Sequence, residues 1–155
     1  VGRSAVQIAR MQGAIVTGSC RASGRAEAQV LGVSEAIDYN AFDIGPYKHR
    51  FDVIFDTAGA LSLRQCGAML KKGGMSLHIV PTPAKMIGCL LSPRHHIVIA
   101  NPTPESFAGI SEAAEQGKLA PVIGRVVPLS EAIPAIIELE KTGNPKGKLV
   151  IAPME

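Results

Sequence analysis

Short apolar runs alternate with stretches of helical periodicity along this chain of 155 residues, and that alternation constrains the fold more than any other feature. Buried parallel strands read as short apolar runs, whereas helices repeat their apolar residues every three or four positions. The runs predict strands at residues 14–18, 35–39, 51–57, 75–80, 96–100, 126–129 and 148–152. The helical patterns predict helices at residues 1–12, 23–31, 62–70, 103–117 and 130–141. This order predicts an α/β fold with a three-layer, doubly wound parallel sheet, built as one domain over residues 1–155.

Composition and charge exclude several classes of protein. Hydrophobic residues make up 46% and charged residues 19%, which excludes a disordered chain. A net charge of +3 is too small to argue for nucleic-acid binding by itself. No apolar run approaches the ~18 residues that a membrane span needs, and no signal-peptide pattern is present. The three cysteines form neither a disulfide framework nor a metal knuckle, so we expect reduced thiols and a cytoplasmic location.

The first residues carry a second constraint on the fold. The chain opens inside a helix, whereas a doubly wound sheet normally begins with a strand and a glycine-rich turn. We therefore expect Val1 and Gly2 to be the end of such a turn, in a domain that lacks its first strand. A helix amino end offers unpaired N–H groups and a positive dipole, and glycine lets a pyrophosphate approach the backbone.

Six segments carry a family resemblance in their order and spacing. They are VGRSAVQIARMQGAIVTGSC at residues 1–20, LGVSEAIDY at 31–39, FDVIFDTAGA at 51–60, LKKGGMSLHIV at 70–80, EQGKLAPVIGRVVPLSEA at 115–132 and KGKLVI at 146–151. Together they resemble the C-terminal cofactor-binding domain of the medium-chain dehydrogenase/reductase superfamily, in its zinc-independent, quinone oxidoreductase-like branch.

The resemblance implies a Rossmann-type lobe that binds NADPH, without the lobe that holds the small-molecule substrate. It implies no metal site, and it leaves the catalytic residues unassigned. It also implies that Tyr39 lies beside the adenosine phosphate, and that the strand at residues 96–100 pairs edge to edge in a homodimer.

The end of the strand predicted at residues 14–18, which is the second strand once the missing first strand is counted, predicts which nucleotide is preferred. Domains that select NAD usually carry an acidic residue there, which holds the ribose 2′-hydroxyl. This chain has Ser19, Cys20 and Arg21 instead, with Arg25 four residues further on. Arginine can grip a 2′-phosphate with two N–H groups, so we expect NADP(H) as the cofactor.

The ends of two later strands complete the predicted nucleotide site. Cofactors cross the carboxyl ends of parallel strands, which places Thr57, Ala58 and Gly59 along the nucleotide. Ile79 and Val80 end the following strand and are expected to face the nicotinamide.

Several ionisable residues are expected to have no part in chemistry. Asp52 and Asp56 lie about 13 Å apart on one strand at ~3.3 Å per residue, which is too far for concerted work on one group. Both are interpreted as polar residues at the strand's ends. The segment Arg94-His95-His96 is interpreted as a solvated end.

These residues predict an oxidoreductase that reduces a quinone or an activated C=C or C=O substrate by hydride transfer. Two alternatives from other classes remain open. FDVIFDT also resembles a strand of S-adenosylmethionine-dependent methyltransferases, although those usually carry an acid after the second strand. The chain could equally be a non-catalytic module for nucleotide binding or dimerisation.

Overall fold

The computed structural model describes residues 1–143 and 147–153, and it divides the chain into two compact units, residues 1–108 and 109–155. Lys146, which begins the KGKLVI segment, lies outside the described residues. In the first unit the helices are α1 (Gly2–Met11), α2 (Arg25–Val30), α3 (Leu63–Met69) and α4 (Pro83–Leu91). Its strands are β1 (Thr17–Cys20), β2 (Glu35–Asp38), β3 (Phe51–Asp56), β4 (Leu70–His78) and β5 (His95–Ile97).

All strand pairs of the first unit are parallel, as the alternation predicts. β1 pairs with β2, and β3, β4 and β5 form a second sheet in that order. The mixed α/β class with parallel sheets is therefore confirmed. In a doubly wound order another strand would lie between β1 and β3; the described residues supply none, so the sheet is not continuous.

The second unit is smaller. Helix α5 (Pro104–Glu115) crosses the boundary between the units, and β6 (Ile123–Pro128), α6 (Ala132–Thr142) and β7 (Lys148–Ala152) follow it. β6 and β7 pair in parallel, with a register shift between Ile123 and Arg125. None of the helices in the described part of the chain has the length and apolar character that a membrane crossing requires.

Four predicted strands have a boundary that was wrong by two residues or more. The strand predicted at residues 96–100 is limited to His95–Ile97, and the strand predicted at residues 126–129 is Ile123–Pro128. The other two errors have local reasons. The strand predicted at residues 14–18 begins at Thr17, because Thr17 is the first residue that pairs with β2, opposite Glu35. Ile15 lies before this pairing and is exposed. The strand predicted at residues 75–80 begins at Leu70, directly after α3, and ends at His78. Ile79 and Val80 therefore follow the strand.

Helix α4 is a further element, which the apolar runs and helical patterns of the sequence do not predict. Thr82 caps it by accepting a hydrogen bond from the backbone N–H of Lys85, and Pro83 occupies its first position. The helix lies at the start of the connection between β4 and β5, and it brings Lys85 into the interior.

The core of the first unit lies under the β3–β4–β5 sheet. Its buried members are Ile54, Cys66, Met69 and Leu70, and an aromatic stack of Phe42, Tyr47 and Phe51 adjoins it. Ser62 begins α3 with a reciprocal capping arrangement that involves Gln65, which fixes the helix against this core.

Burial of Cys66 predicts a large difference in thiol reactivity. Removal from water raises the pKa of the Cys66 thiol to about 11, whereas Cys20 and Cys89 are partly exposed. At pH 8 a disulfide reagent should label Cys66 at least about 100-fold more slowly than the other two, since the thiolate is the nucleophile. Unfolding in denaturant should equalise the three rates. Fast labelling of all three thiols in the native protein would contradict this placement.

Candidate nucleotide-binding site

The amino end of α1 lies beside the turn that follows β3. A Cβ atom on Gly2 would lie 3.6 Å from the Thr57 hydroxyl oxygen. The first turn of α1 contains no acidic residue, and Val1 and Gly2 are exposed. The structure thus brings together Gly2 and Thr57, which the sequence predicted separately, at a positive and accessible helix end.

Arg21 follows β1 and is tied to Tyr39, which follows β2. The Nε group of Arg21 donates a hydrogen bond of 2.9 Å to the Tyr39 hydroxyl, and both side chains are exposed. This bond raises the pKa of the Arg21 guanidinium above its ordinary value. The parallel pairing of β1 and β2 ends at Cys20 and Asp38. Arg21 and Tyr39, which follow these residues, therefore lie side by side at the carboxyl ends of the two strands.

The other predicted residues near Arg21 are accessible. Ser19 is exposed at the end of β1, and Arg25 is exposed at the start of α2. Cys20 is half-buried and contacts the turn at Gly24, since a Cβ on that glycine would lie 3.7 Å from the Cys20 Cβ. We conclude that Cys20 packs the turn, while Ser19, Arg21 and Arg25 are exposed.

Gly59 joins the turn after β3 to the segment after β4. Its φ is +75°, a left-handed conformation that favours glycine, and an added Cβ would lie 2.9 Å from the Val80 Cβ. The backbone N–H of Ile79 also donates to the Asp56 carbonyl, at 3.3 Å. By these contacts residues 57–59 and 79–80 lie together at the carboxyl ends of β3 and β4, and their role in nucleotide binding stays a prediction.

A buried polar network lies directly beneath this turn, and the sequence interpretation missed it. Asp56, Ser76, His78 and Lys85 are each at most 6% exposed. The Lys85 ammonium donates to Asp56 Oδ2 at 2.8 Å, and Nδ1 of His78 lies 3.3 Å from the same oxygen. Ser76 Oγ lies 2.8 Å from His78 Nε2 and 2.7 Å from His95 Nδ1.

The charge state of Asp56 assigns the direction of these bonds. Burial alone would raise its pKa, but hydrogen bonds from Lys85 and His78 outweigh burial, so the pKa of Asp56 lies below its ordinary value. The carboxylate therefore accepts, and Nδ1 of His78 donates. The Ser76 hydroxyl bridges His78 Nε2 and His95 Nδ1, and the tautomers of the two rings set the direction of those bonds.

Two interpretations of these residues need correction. Asp56 is more than a polar strand end, because it is the centre of the network. His95 is partly buried and bonded to Ser76, so it is not a solvated end. Burial also lowers the pKa of His95. The Thr82-Pro83 helix signal was available in the sequence and would have pointed to Lys85 in the first turn of α4.

The order Ser76–His78–Asp56 has the connectivity of a hydrolytic triad, but it cannot act as one. Ser76 and His78 are fully buried, at 0% exposure, and Ser76 is also bonded to His95. A nucleophilic serine must reach its substrate. We therefore read this arrangement as internal support for the turn above it.

A separate surface pocket of about 460 Å³ lies away from the predicted residues. Its lining comprises Asp43, Ile44, Gly45, Lys48, Arg64, Gln65 and Ala68. Gln65 already closes the capping arrangement of α3, and most of the pocket's lining residues are exposed or half-exposed.

Parallel strands, a positive helix end and polar groups at the strands' carboxyl ends define a dinucleotide-binding type of α/β protein. The family model described as zinc-binding dehydrogenase matches residues 31–151. The chain belongs to this family, within the quinone oxidoreductase-like part of the medium-chain dehydrogenase/reductase superfamily. The resemblance seen in the sequence is thereby confirmed.

Three relatives illustrate the similarity. The mitochondrial NAD(P)H oxidoreductase RTN4IP1 of Danio rerio is 24% identical over 100% of this chain and 47% of its own length. The 2-methylene-furan-3-one reductase of Solanum lycopersicum is 28% identical over 99% of this chain and 38% of its own. The solved quinone oxidoreductase of Coxiella burnetii is 25% identical, with a TM-score of 0.79, over 97% of this chain and 49% of its own. The chain thus spans about half the length, or less, of these relatives.

The family's description refers to zinc, and the described residues do not fit a zinc site. Among residues 1–143 and 147–153, no group of three or more His, Cys, Asp or Glu side chains is arranged to hold a metal ion. Structural and catalytic zinc sites take three or four such ligands.

A pyridine nucleotide, in contrast, fits the residues at the strand ends. Ser19 and Arg21 are exposed at the end of β1, and Gly2 leaves the amino end of α1 open. No acidic residue occupies residues 17–26.

Proposed function

We propose that this chain is the NADP(H)-binding part of an oxidoreductase that reduces a quinone or an activated C=C or C=O substrate by hydride transfer. One observation carries the choice of nucleotide: the Arg21–Tyr39 pair stands at the end of β1, where NAD-selective domains carry an acid. The relatives named above support the reaction class, since they are named as quinone, enone and NAD(P)H oxidoreductases.

The positively charged groups bind the phosphates in this proposal. The exposed N–H groups of Val1 and Gly2 bind the pyrophosphate, and the Thr57 hydroxyl beside them donates to it. Arg21 donates to the 2′-phosphate through its Nη groups, because its Nε is engaged by Tyr39. Ser19 and Arg25 add a hydroxyl and a second positive charge.

The turn after β3 and the segment after β4 hold the reactive end. When bound, the nicotinamide supplies the hydride. Ala58, Gly59, Ile79 and Val80 orient its ring and keep water from one face, because Gly59 and Val80 are in direct contact. A second lobe, outside this chain, holds the small-molecule substrate and any general acid, in keeping with the greater length of the relatives.

Titration of the chain with NADPH, NADH and S-adenosylmethionine tests this proposal. Thermal shift and nicotinamide fluorescence should show stabilisation by NADPH, weaker stabilisation by NADH and none by S-adenosylmethionine. Selective stabilisation by S-adenosylmethionine would support the methyltransferase alternative. The absence of any response would contradict nucleotide binding by this chain and favour a non-catalytic module for dimerisation.

We also propose that the chain forms a homodimer through the edge of β5 that is opposite β4. Among the described residues only β4 pairs with β5, and exposed apolar residues flank β5 in the sequence, with Leu90 87% and Ile99 84% exposed. Light scattering should give a dimer mass that Ile99→Glu converts to a monomer mass. The control Ile15→Glu changes an equally exposed isoleucine (86%) and should remain dimeric. A monomeric wild type at high concentration would contradict the proposal.

The cytoplasmic location and the lack of nucleic-acid and membrane partners stay predictions.

A further inference from the structure

Lys85 is buried in a place where the local sequence does not favour a cation. It lies in the first turn of α4, near the positive end of the helix dipole, and is only 6% exposed. The cost of burying this charge is offset by the turn after β3, because Nζ donates to Asp56 Oδ2 at 2.8 Å and to the Gly59 carbonyl at 3.1 Å. A buried ammonium with two such partners ties α4 to that turn.

Asp56 holds the same turn through its backbone N–H groups. Its Oδ1 accepts from Gly59 at 2.9 Å and from Ala60 at 3.2 Å, and Oδ2 accepts from Leu61 at 3.4 Å. Gly59 is thus held through its N–H by Asp56 and through its carbonyl by Lys85. His78 supports the carboxylate from β4, and Ser76 and His95 support His78 from β4 and β5.

We propose that Lys85 and His78 are positioning residues, which act through Asp56 to hold the turn at residues 57–59 in one conformation for nucleotide binding. Both are buried beneath the turn, so neither is placed to touch the nucleotide. This inference rests on the proposed function for its purpose. The locking of the turn itself can be measured without any nucleotide.

The first test is amide hydrogen exchange in the full chain without ligand. Lys85→Met should raise the exchange rates of the Gly59, Ala60 and Leu61 amides by about tenfold or more. The Ser34 amide, which donates to the Val16 carbonyl of the other sheet, serves as an internal reference. If Lys85→Met only lowered the overall stability of the protein, hydrogen exchange at all four amides would become faster by the same factor. Lys71→Met, which removes a lysine from an exposed ion pair with Asp52, should change none of them.

Two further variants keep the test decisive. Lys85→Gln retains an N–H donor without the charge, and it serves if Lys85→Met does not fold. Lys85→Arg keeps the charge and should restore slow exchange in part. Unchanged exchange at residues 59–61 in a folded, charge-free Lys85 variant would overturn the proposal.

The second test is binding of NADPH and of NADH by the same variants. Lys85→Met should weaken both by the same factor, because the turn lies away from the 2′-phosphate contacts at Arg21. Faster turn exchange with unchanged binding of both nucleotides would overturn the link to the nucleotide site. Faster turn exchange in a chain whose wild type binds neither nucleotide would support the locking of the turn and overturn the proposed function.

Discussion

Asp56→Asn should lower the free energy of unfolding by about 3–5 kcal/mol, because it leaves the buried Lys85 ammonium without its counter-ion. The amide also replaces one acceptor oxygen with an NH2 group, which faces either the Gly59 and Ala60 N–H groups in the place of Oδ1 or the His78 and Lys85 donors in the place of Oδ2. Denaturant unfolding of both proteins at pH 7 measures the difference.

The stability gap between the two proteins depends on pH. Since the pKa of Asp56 is lowered in the folded protein, the contribution of Asp56 to stability is present above the ordinary value of 3.8. It is lost as the pH falls through the folded-state pKa, so the gap between the proteins should narrow in acid.

A matched control lies on the same strand. Asp52 is paired with Lys71, but its side chain is 78% exposed, so Asp52→Asn should change stability by no more than about 0.5 kcal/mol. The double variant Asp56→Asn/Lys85→Met removes both buried charges and should be less destabilised than the sum of the single variants by about 1–3 kcal/mol. Equal effects of the Asp52 and Asp56 substitutions, or strict additivity in the double variant, would contradict the buried pair.

Arg21→Ala should weaken NADPH binding by about 10–100-fold while changing NADH binding by about twofold or less, because only NADPH carries the 2′-phosphate. The two affinities can be measured by nicotinamide fluorescence on the same protein samples. The preference for NADPH should also decrease as salt rises, because the contact is exposed and screened. Equal losses for both nucleotides would refute the role of Arg21 in phosphate recognition.

Two other substitutions separate charge from position at this site. Arg50→Ala removes an exposed arginine that pairs with Glu35 at the opposite end of β2, and it should leave both affinities within about twofold. Tyr39→Phe keeps the Arg21 charge but removes the hydroxyl that holds its Nε. It should produce a smaller loss for NADPH than Arg21→Ala, and no loss for NADH.

The α/β class and the paired strand ends could be predicted from the sequence because both depend on local patterns. Apolar runs such as FDVIFDT and glycine stops mark the elements, and parallel strands place their carboxyl ends at one edge. Thr57, Gly59 and Val80 could therefore be grouped before their contacts were known. The separation into sheets could not, because it depends on which strands pair across the whole chain.

The buried network could not be predicted from residue spacing. His78 lies 22 residues after Asp56, and Lys85 lies 29 residues after it. The three side chains meet only because β3, β4 and α4 pack together. A polar residue in a strand is usually solvated, so the sequence favoured the simpler interpretation. The Thr82-Pro83 signal predicts the start of α4, yet it gives no indication that Lys85 turns inward.

The most direct test of the central claim is to map NADPH binding on the full chain by amide chemical shifts. We expect the largest changes at Gly2, Ser19 to Arg21, Thr57 to Gly59 and Val80, and we expect NADH to reproduce them except around Arg21. Changes confined to other surfaces, such as the pocket around Lys48 and Arg64, would contradict it, as would an unchanged spectrum at saturating NADPH.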